Sequence, residues 1–509
     1  AIKNLNTGEI LLVAGKGHEQ TQDIGKKKVF FSDKKIILNA IKAKNLILSN
    51  NLKLNIIKEK SGSKKISSSL LFNQARINSR EVKKNDIFIA IKGKNNDGNK
   101  FVGQSLKKKA SLAIVSKIQK NLNNNQQIKV KKPIEFLTDI AKAFRQNIET
   151  KIIAITGSCG KTTLKEMLGY ALKKISKVGI SPKSYNNKYG VPLSLFNLNK
   201  NNKFGVIELG MDKRGEIDYL SKIVLPDISV ITNINYAHIK NFKNLKQIAL
   251  AKAEIIYNTN SKGYLVLNAD DKFFEFHKKL AEKKNLNIIS FGIRNPRSNL
   301  KFLSIHKKGN KFKLFLKINK KKIFFYISND FQNNIYNVLA SLAVISIYIN
   351  ISQLNKDIFM NFEVPSGRGS FSAIKINGKN LKLIDESYNS NPLSLKSAIL
   401  NFDKIVTKKS KKYLLLGDML ELGNHSKNLH KSIVPVINNT KIDKVFVKGK
   451  DVKYIFQGLS KFKQGKILYN KFDINEFFEN DLNDNDYLMI KASNATGLNK
   501  IVNNLKGVK

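Results

Sequence analysis

Short apolar runs separated by longer stretches of mixed polarity set the rhythm of this chain. Ile152–Ile155, Phe204–Leu209, Ile228–Ile234, Tyr264–Leu267 and Ile288–Phe291 are almost wholly apolar. Runs of that length predict strands covered on both faces, as in a parallel sheet. The stretches between them are long enough for helices, so residues 148–362 read as one alternating α/β block. Within it, Phe312–Ile318 and Ile323–Ile327 flank a lysine-rich turn and predict a β-hairpin, and Asn334–Tyr348 predicts a closing helix. Ile87–Ile91 and Leu112–Val115 predict buried strands in an earlier block, 67–147. Leu414-Leu-Leu-Gly417 and Tyr487–Ile490 do the same in a later one, 363–509. At the start, Glu9–Ala14 predicts a strand entering a Gly-x-Gly turn at Lys16, followed by a helix from Asp33 to about Ala43. Residues 46–66 are rich in Asn, Lys and Ser and predict a linker.

The first central strand runs into Gly157-Ser-Cys-Gly-Lys-Thr-Thr163 and then into the helix-favouring Leu164-Lys-Glu-Met-Leu168. A strand, a glycine-rich loop and a helix in that order make a phosphate cradle. Loop N–H groups aim at an oligophosphate, with the positive end of the helix dipole behind them. Gly157, Ser158, Cys159, Gly160, Lys161, Thr162 and Thr163 are therefore candidate ATP ligands. Lys161 would neutralise β/γ-phosphate charge, and the Thr162 hydroxyl would hold Mg²⁺. The spacing differs from the common G-x-x-x-x-G-K-[ST], because Ile155 stands five residues before Gly160.

A length of 509 residues suggests about three domains. The one cysteine, Cys159, excludes a disulfide framework and suggests a reducing compartment. No apolar run is long enough to span a bilayer and no secretory pattern opens the chain, so a cytoplasmic location without membrane insertion is expected. A net charge of +53 raises the question of nucleic acid. Lysine is spread along the whole chain among abundant Asn and Ile, and no groove-reading module, zinc pattern or aromatic RNA-binding stretch is present. Nucleic acid is not expected as a partner, and the charge instead favours anionic small substrates.

Polar residues gather at the predicted strand ends, where open α/β sheets bind ligands. Glu208 ends the second central strand, Asn233 the third and Asn268-Ala-Asp-Asp271 the fourth. Glu208 with Thr162 offers hard oxygen ligands for Mg²⁺. His238 is either the nitrogen ligand of a second ion or a structural histidine, and Lys252 on its pattern alone is a solvated lysine. Ser79-Arg80 and Lys92-Gly93 sit at strand ends and read either as ligand contacts or as ordinary turns. Arg368 and Asp385–Asn391 belong to the later block. If they close over the nucleotide, a hinge near Val364-Pro365 is needed.

Several of these runs together resemble the Mur ligases of bacterial cell-wall synthesis. They are TGSCGKTT, SYNNKYGVPLSL (Ser184–Leu195), IELG at Glu208, TNINYAHI ending near His238, LAKAEI around Lys252, and SGR at Arg368. SREVKKNDIFIAIKG, DESYNSNPLSL and LLLGDMLELGNHSKNLH resemble, more narrowly, the branch that joins D-alanyl-D-alanine to UDP-N-acetylmuramoyl-tripeptide. The resemblance covers residue 67 to the C-terminus. It implies a three-domain α/β architecture: an N-terminal UDP-sugar-binding domain, a central P-loop ATPase domain with a parallel sheet, and a C-terminal Rossmann-like domain. It also implies ATP and two Mg²⁺ ions. Lys161, Glu208, His238, Lys252 and Arg368 would be the catalytic set, with Thr162 and Glu208 on the first ion. His238 and Lys252 would serve the second, and Lys252 resembles the lysine that is carbamylated in this family. Asn334 and Asn337 resemble adenine contacts, Arg368 a phosphate clamp and Glu386 a ribose contact. Ser79, Arg80, Lys92 and Gly93 match segments holding the UDP-sugar. Asn187, Tyr388, Asn389 and Asn391 match positions near the peptide substrates.

Four positions depart from the family pattern. Phe331-Gln-Asn-Asn334 replaces Gly-x-His-Asn, Glu386 replaces an Asp, Asn235 replaces a Gly, and Lys491-Ala-Ser-Asn494 replaces K-G-S-R. Residues 1–45, with AGKGHE (Ala14–Glu19) and FFSD, resemble instead the C-terminal end of MurE, the preceding ligase, and suggest a remnant of a fused polypeptide. The rival expectations are another amide ligase of the superfamily, akin to folylpolyglutamate synthetase, and an inactive fusion fragment.

Overall fold

The computed structural model describes residues 1–5, 9–15, 17–67, 70–93, 96–309, 311–318, 321–328, 334–407 and 409–507. Four sheets account for the strands, and two compact units contain them: Ala1–Thr150 with Pro192–Gly205, and Lys151–Val191 with Val206–Lys509.

In the first unit, β1 (Thr21–Ile24) and β2 (Lys27–Phe30) pair only with each other, as an exposed antiparallel hairpin. β3 (Ala75–Arg76), β4 (Ile87–Ile89), β5 (Leu112–Val115) and β6 (Gln127–Lys129) form a parallel sheet in that order. β4 and β5 are buried at every position, as their unbroken apolar character predicted.

Two expectations fail in this unit. Glu9–Ala14 is no strand: it pairs with no described strand, and Ile10 is 95% exposed and Leu12 89%. Lys16 lies outside the described residues. The 46–66 linker is mostly helix. A single helix runs Asp33–Ser61, capped by Ser32, whose hydroxyl accepts from the Lys35 N–H, and ending at Gly62 with φ 63°. Lys42, Asn51, Asn55, Lys58 and Lys60 face solvent while Ser49, Lys53, Leu54, Ile56 and Ile57 are buried. Composition suggested a linker, but the stretch holds no Pro or Gly before Gly62 to interrupt the helix begun at Asp33. Lys53 is buried with its ammonium 5.3, 5.1 and 5.7 Å from the rings of Phe72, Phe144 and Phe196.

The second unit holds two sheets. The larger contains β7 (Lys151–Thr156), β8 (Val178–Ile180), β9 (Phe204–Glu208), β10 (Ile228–Ile231), β11 (Tyr264–Asn268), β12 (Asn287–Gly292), β13 (Leu300–Lys308), β14 (Lys311–Ile318) and β15 (Lys321–Ser328). Their order is β15-β14-β13-β12-β11-β10-β7-β9-β8. β7, β10, β11, β12 and β13 pair in parallel, and β13–β15 form an antiparallel meander. The expected hairpin is therefore two-thirds of a three-stranded element whose first strand, β13, alternates too little to stand out in the sequence. The predicted closing helix is Ile335–Ile345.

The smaller sheet contains β16 (Ser370–Ile376), β17 (Lys379–Glu386), β18 (Lys412–Gly417), β19 (Lys444–Lys448), β20 (Gln464–Ile467) and β21 (Tyr487–Lys491), ordered β16-β17-β21-β18-β19-β20. β16 is antiparallel to β17, and the other pairs are parallel. Phe446, Phe477, Leu383, Leu415 and Leu488 are among the buried residues of its core. Parallel strands place their C-terminal ends on one side, which brings Glu386 and Lys491 into register as neighbours.

Candidate active site

The loop after β7 is held from two sides. Ser158 N–H donates to the Asn233 carbonyl at 2.9 Å, and Cys159 N–H to Asn233 Oδ1 at 3.1 Å. Thr232 Oγ1 donates to the Cys159 carbonyl at 2.6 Å. Gly157 has φ 142°, and a Cβ there would lie 1.9 Å from Thr232 Oγ1, so no other residue fits without rebuilding the loop. Helix Lys161–Lys173 starts directly after Gly160. The Lys161 ammonium turns back onto the Gly157 carbonyl at 2.7 Å. Burial draws its pKa below the usual amine value, opposed by Glu208.

The Thr162 hydroxyl donates to Glu208 Oε2 at 2.7 Å, and Asn186 Nδ2 donates to Oε1 at 2.7 Å. Glu208, at the end of β9, is 1% exposed. Its direct hydrogen-bond donors are neutral, and the Lys161 ammonium is the cation that acts on it. Two hard oxygens converging there fit Mg²⁺.

Residues from the 363–509 block complete the wall. Tyr388 Oη donates to Ser184 Oγ at 2.7 Å, and the Arg368 guanidinium stacks 4.2 Å from the Tyr388 ring. Asn391 Nδ2 lies 3.0 Å from Cys159 Sγ. The Lys491 ammonium binds Glu386 Oε2 at 3.0 Å and the Asn389 carbonyl at 3.0 Å. Asn337 Nδ2 donates to Asn334 Oδ1 at 2.8 Å beside the loop. These residues enclose a cavity of about 710 Å³, large enough for a nucleotide with a second substrate.

Of the expected residues, Ser158 to Thr163, Glu208, His238, Asn334, Asn337, Arg368, Glu386, Tyr388, Asn389 and Asn391 line this cavity. Phe331–Asn333 lie outside the described residues. Asn187 does not line it; its Oδ1 accepts from the N–H groups of Tyr189 and Gly190 and caps the turn into helix Gly190–Phe196. The neighbouring Asn186, which sequence reasoning passed over, reaches Glu208 instead. Lys252, on helix Leu245–Tyr257, is 2% exposed and has no carboxylate partner among the described residues. Burial, with the charge of Lys161 added, drives its pKa well below the usual amine value, so the solvated-lysine reading is overturned.

His238 sits in a left-handed turn at φ 56°, its Nδ1 3.0 Å from Asp212 Oδ1 and in close contact with Glu421 Oε2. Asp212, Glu421, Tyr336 and Lys491 also escaped the sequence reading. The K-G-S-R departure had marked Lys491, and Glu421 lay within the quoted LGDMLELG run without a role. Tyr336 Oη donates to Asp270 Oδ2 at 2.9 Å at the cavity edge.

In the first unit, Ser79 is buried and donates to Gln104 Oε1 at 2.7 Å, while Arg80 is exposed. Lys92 and Gly93 are exposed; Lys92 bridges to Asp97, and Gly93 N–H donates to Asn96 O at 2.8 Å.

Three family models match consecutive parts of the chain: Mur ligase family, catalytic domain (72–145), Mur ligase middle domain (155–345) and Mur ligase, glutamate ligase domain (371–494). A UDP-N-acetylmuramoyl-tripeptide–D-alanyl-D-alanine ligase of Rickettsia prowazekii is 33% identical, over 86% of this chain and 96% of its own length. That of Bacillus subtilis is 30% identical, over 84% and 91%. Among solved structures, MurF ligase from Thermotoga maritima in complex with ADP aligns with a TM-score of 0.71 at 25% identity, covering 86% of this chain and 98% of that one. The chain belongs to the Mur ligase family, in its branch of UDP-N-acetylmuramoyl-tripeptide–D-alanyl-D-alanine ligases.

Proposed function

We propose that this protein joins D-alanyl-D-alanine to UDP-N-acetylmuramoyl-tripeptide with cleavage of ATP to ADP and phosphate, the last cytoplasmic step to the pentapeptide precursor of peptidoglycan. The observation that carries this reading is the single cavity in which the phosphate loop, Glu208 and the Arg368–Tyr388–Asn391 group face one another. The free carboxylate of the tripeptide attacks the γ-phosphate to give an acyl phosphate and ADP. The dipeptide amine then adds to the acyl carbon, and phosphate leaves. Both reactants of the first step are anionic, so the main barrier is electrostatic.

Lys161 and Arg368 bring cationic charge to the phosphates, and the loop N–H groups orient them. Thr162 and Glu208 would hold one Mg²⁺, and His238 with a carbamylated Lys252 a second; bound there, the ions screen charge on the phosphates. Lys252 fits this use because a buried amine held neutral can add to CO₂, releasing a proton and leaving a carbamate that ligates like a carboxylate. Asn334 and Asn337 are assigned to adenine and Glu386, braced by Lys491, to ribose. Tyr388, Asn389 and Asn391 are assigned to the incoming dipeptide. Ser79, Arg80, Lys92 and Gly93 are assigned to the UDP-sugar. Among the described residues no helix is long and apolar enough to cross a membrane, in keeping with a cytoplasmic enzyme. The MurE-like run in residues 1–45 remains assigned to a fusion remnant; the coding sequence upstream tests that directly.

The decisive experiment is phosphate release from Mg·ATP with UDP-N-acetylmuramoyl-tripeptide, with and without D-alanyl-D-alanine. Release that needs both, with a pentapeptide product, establishes the activity. Release needing neither leaves a nucleotidase and removes the substrate assignment.

A further inference from the structure

The contact between His238 and Glu421 crosses from one sheet's domain to the other's. His238 lies past β10, in the block of the phosphate loop; Glu421 lies past β18, in the 363–509 block. The segments meet closely. Lys240 N–H donates to the Glu421 carbonyl at 3.1 Å, and at Gly423 a Cβ would come within 3.1 Å of Lys240 Cα and Cβ. The Glu421 segment is firmly built. Asp418 accepts from the N–H groups of Lys450, Asp451 and Val452, Met419 N–H donates to His430 Nε2 at 3.1 Å, and Leu420 N–H donates to Ser493 Oγ at 3.0 Å. On the other side, Asp212 is held by Asn241 Nδ2, which donates to its carbonyl at 2.7 Å.

Both carboxylates crowd the same nitrogen, Nδ1, which is buried although neither oxygen lies in line with an N–H. A neutral imidazole carries one N–H and one lone pair. Carboxylates at Nδ1 draw the proton there and leave the Nε2 lone pair free for a metal, the arrangement in which a second partner orients a ligating histidine. We propose that Asp212 and Glu421 are positioning residues that fix the tautomer and orientation of His238. Because Glu421 comes from the other domain, the second-ion site is complete only when the two domains close. With an ion bound, closure would then favour metal ligation, so that full charge screening would come with exclusion of water from the reacting carboxylate and phosphate. The inference rests on the reading of His238 as a metal ligand.

The test is Mn²⁺ affinity of the full chain in the presence of ADP, followed by electron paramagnetic resonance, for wild type, Glu421→Ala, Glu421→Gln and Asp212→Ala. Glu421→Ala is expected to weaken Mn²⁺ on the order of tenfold or more. Gln can still accept from Nδ1 and is expected to recover part of the loss, while ADP affinity without metal stays unchanged. Asp212→Ala, on the exposed side of the contact, gives the same direction without touching the Glu421 loop. Mn²⁺ affinity equal to wild type in both alanine variants overturns the inference, whatever happens to turnover. Weakened Mn²⁺ binding in a protein that forms no pentapeptide would instead sustain the latch and remove the ligase assignment.

Discussion

Thr162 and Glu208 are 46 residues apart in sequence, yet the threonine hydroxyl donates to the carboxylate at 2.7 Å in a buried setting. The two belong to the start of helix Lys161–Lys173 and the end of β9, and the sheet order β7-β9 makes them neighbours. Glu208→Gln keeps the shape and the Asn186 contact while removing the charge a cation needs. A kcat loss on the order of 10²–10³-fold is expected, the scale of removing one preorganised electrostatic group. The protein should melt no lower than wild type, since burying an amide costs less than burying an unpaired carboxylate. Steady-state phosphate release and a thermal melt together check this.

The Cys159 sulfur is held against the Asn391 side-chain amide. No step of the proposed chemistry uses a covalent nucleophile. Cys159→Ser replaces one weak hydrogen-bonding partner by a stronger one, so activity should stay within about fivefold, the effect of about 1 kcal/mol or one neutral hydrogen bond. Loss of all turnover in a folded Cys159→Ser protein would refute the reading that the thiol takes no part in the chemistry.

How much of this was legible beforehand differs by level. Unbroken apolar runs such as Ile152–Ile155 announced the buried parallel strands, and the phosphate loop announced its own function, because both are local patterns. The Glu386–Lys491 pair depends on β17 and β21 lying side by side although about a hundred residues separate them. The Asp212–His238–Glu421 contact depends on two domains meeting. Asn186 and Asn187 differ only in which way each side chain leaves one turn, and sequence carries no sign of that. In the 46–66 stretch the buried positions Ser49, Lys53 and Ile57 are spaced by four, but two of them are polar, so apolar periodicity gave no sign of the helix.

Lys53 is a cation enclosed by three phenylalanine rings, and burial draws its pKa from 10.5 to about 7. In the unfolded chain the ammonium keeps its ordinary value, so between about pH 7 and pH 10.5 the unfolded state binds the extra proton. Stability therefore rises with pH across that window and levels off below it. The penalty at neutral pH is about 5 kcal/mol by this shift, offset by about 0.5–2 kcal/mol for each ring contact. Lys53→Met fills the same space without the charge. It should raise the melting temperature at pH 7 and flatten the pH dependence relative to wild type between pH 7 and pH 10. Parallel pH curves for the two proteins would show that the rings fully compensate the burial.

Lys252 and His277 are two buried basic groups that act on each other electrostatically. Burial lowers His277 to about 4, with its bond to the Ala249 carbonyl opposing and the charge of Lys252 adding to the fall. Burial holds Lys252 itself well below the usual amine range. A protonated lysine here would be an unpaired interior cation, whereas a neutral amine is a nucleophile toward CO₂ and its carbamate supplies the negative charge a metal needs. Activity should accordingly fall in buffer stripped of CO₂ and return on adding bicarbonate, and ¹³C-labelled bicarbonate should give a carbamate resonance absent from Lys252→Met. Lower pH should weaken the modification, because protonating the amine removes the nucleophile and pulls the carbamate equilibrium back toward CO₂. A bicarbonate response that persists unchanged in residual turnover of Lys252→Met would place the sensitivity elsewhere. Full activity without CO₂ would mean that the second ion does not need a carbamate on Lys252.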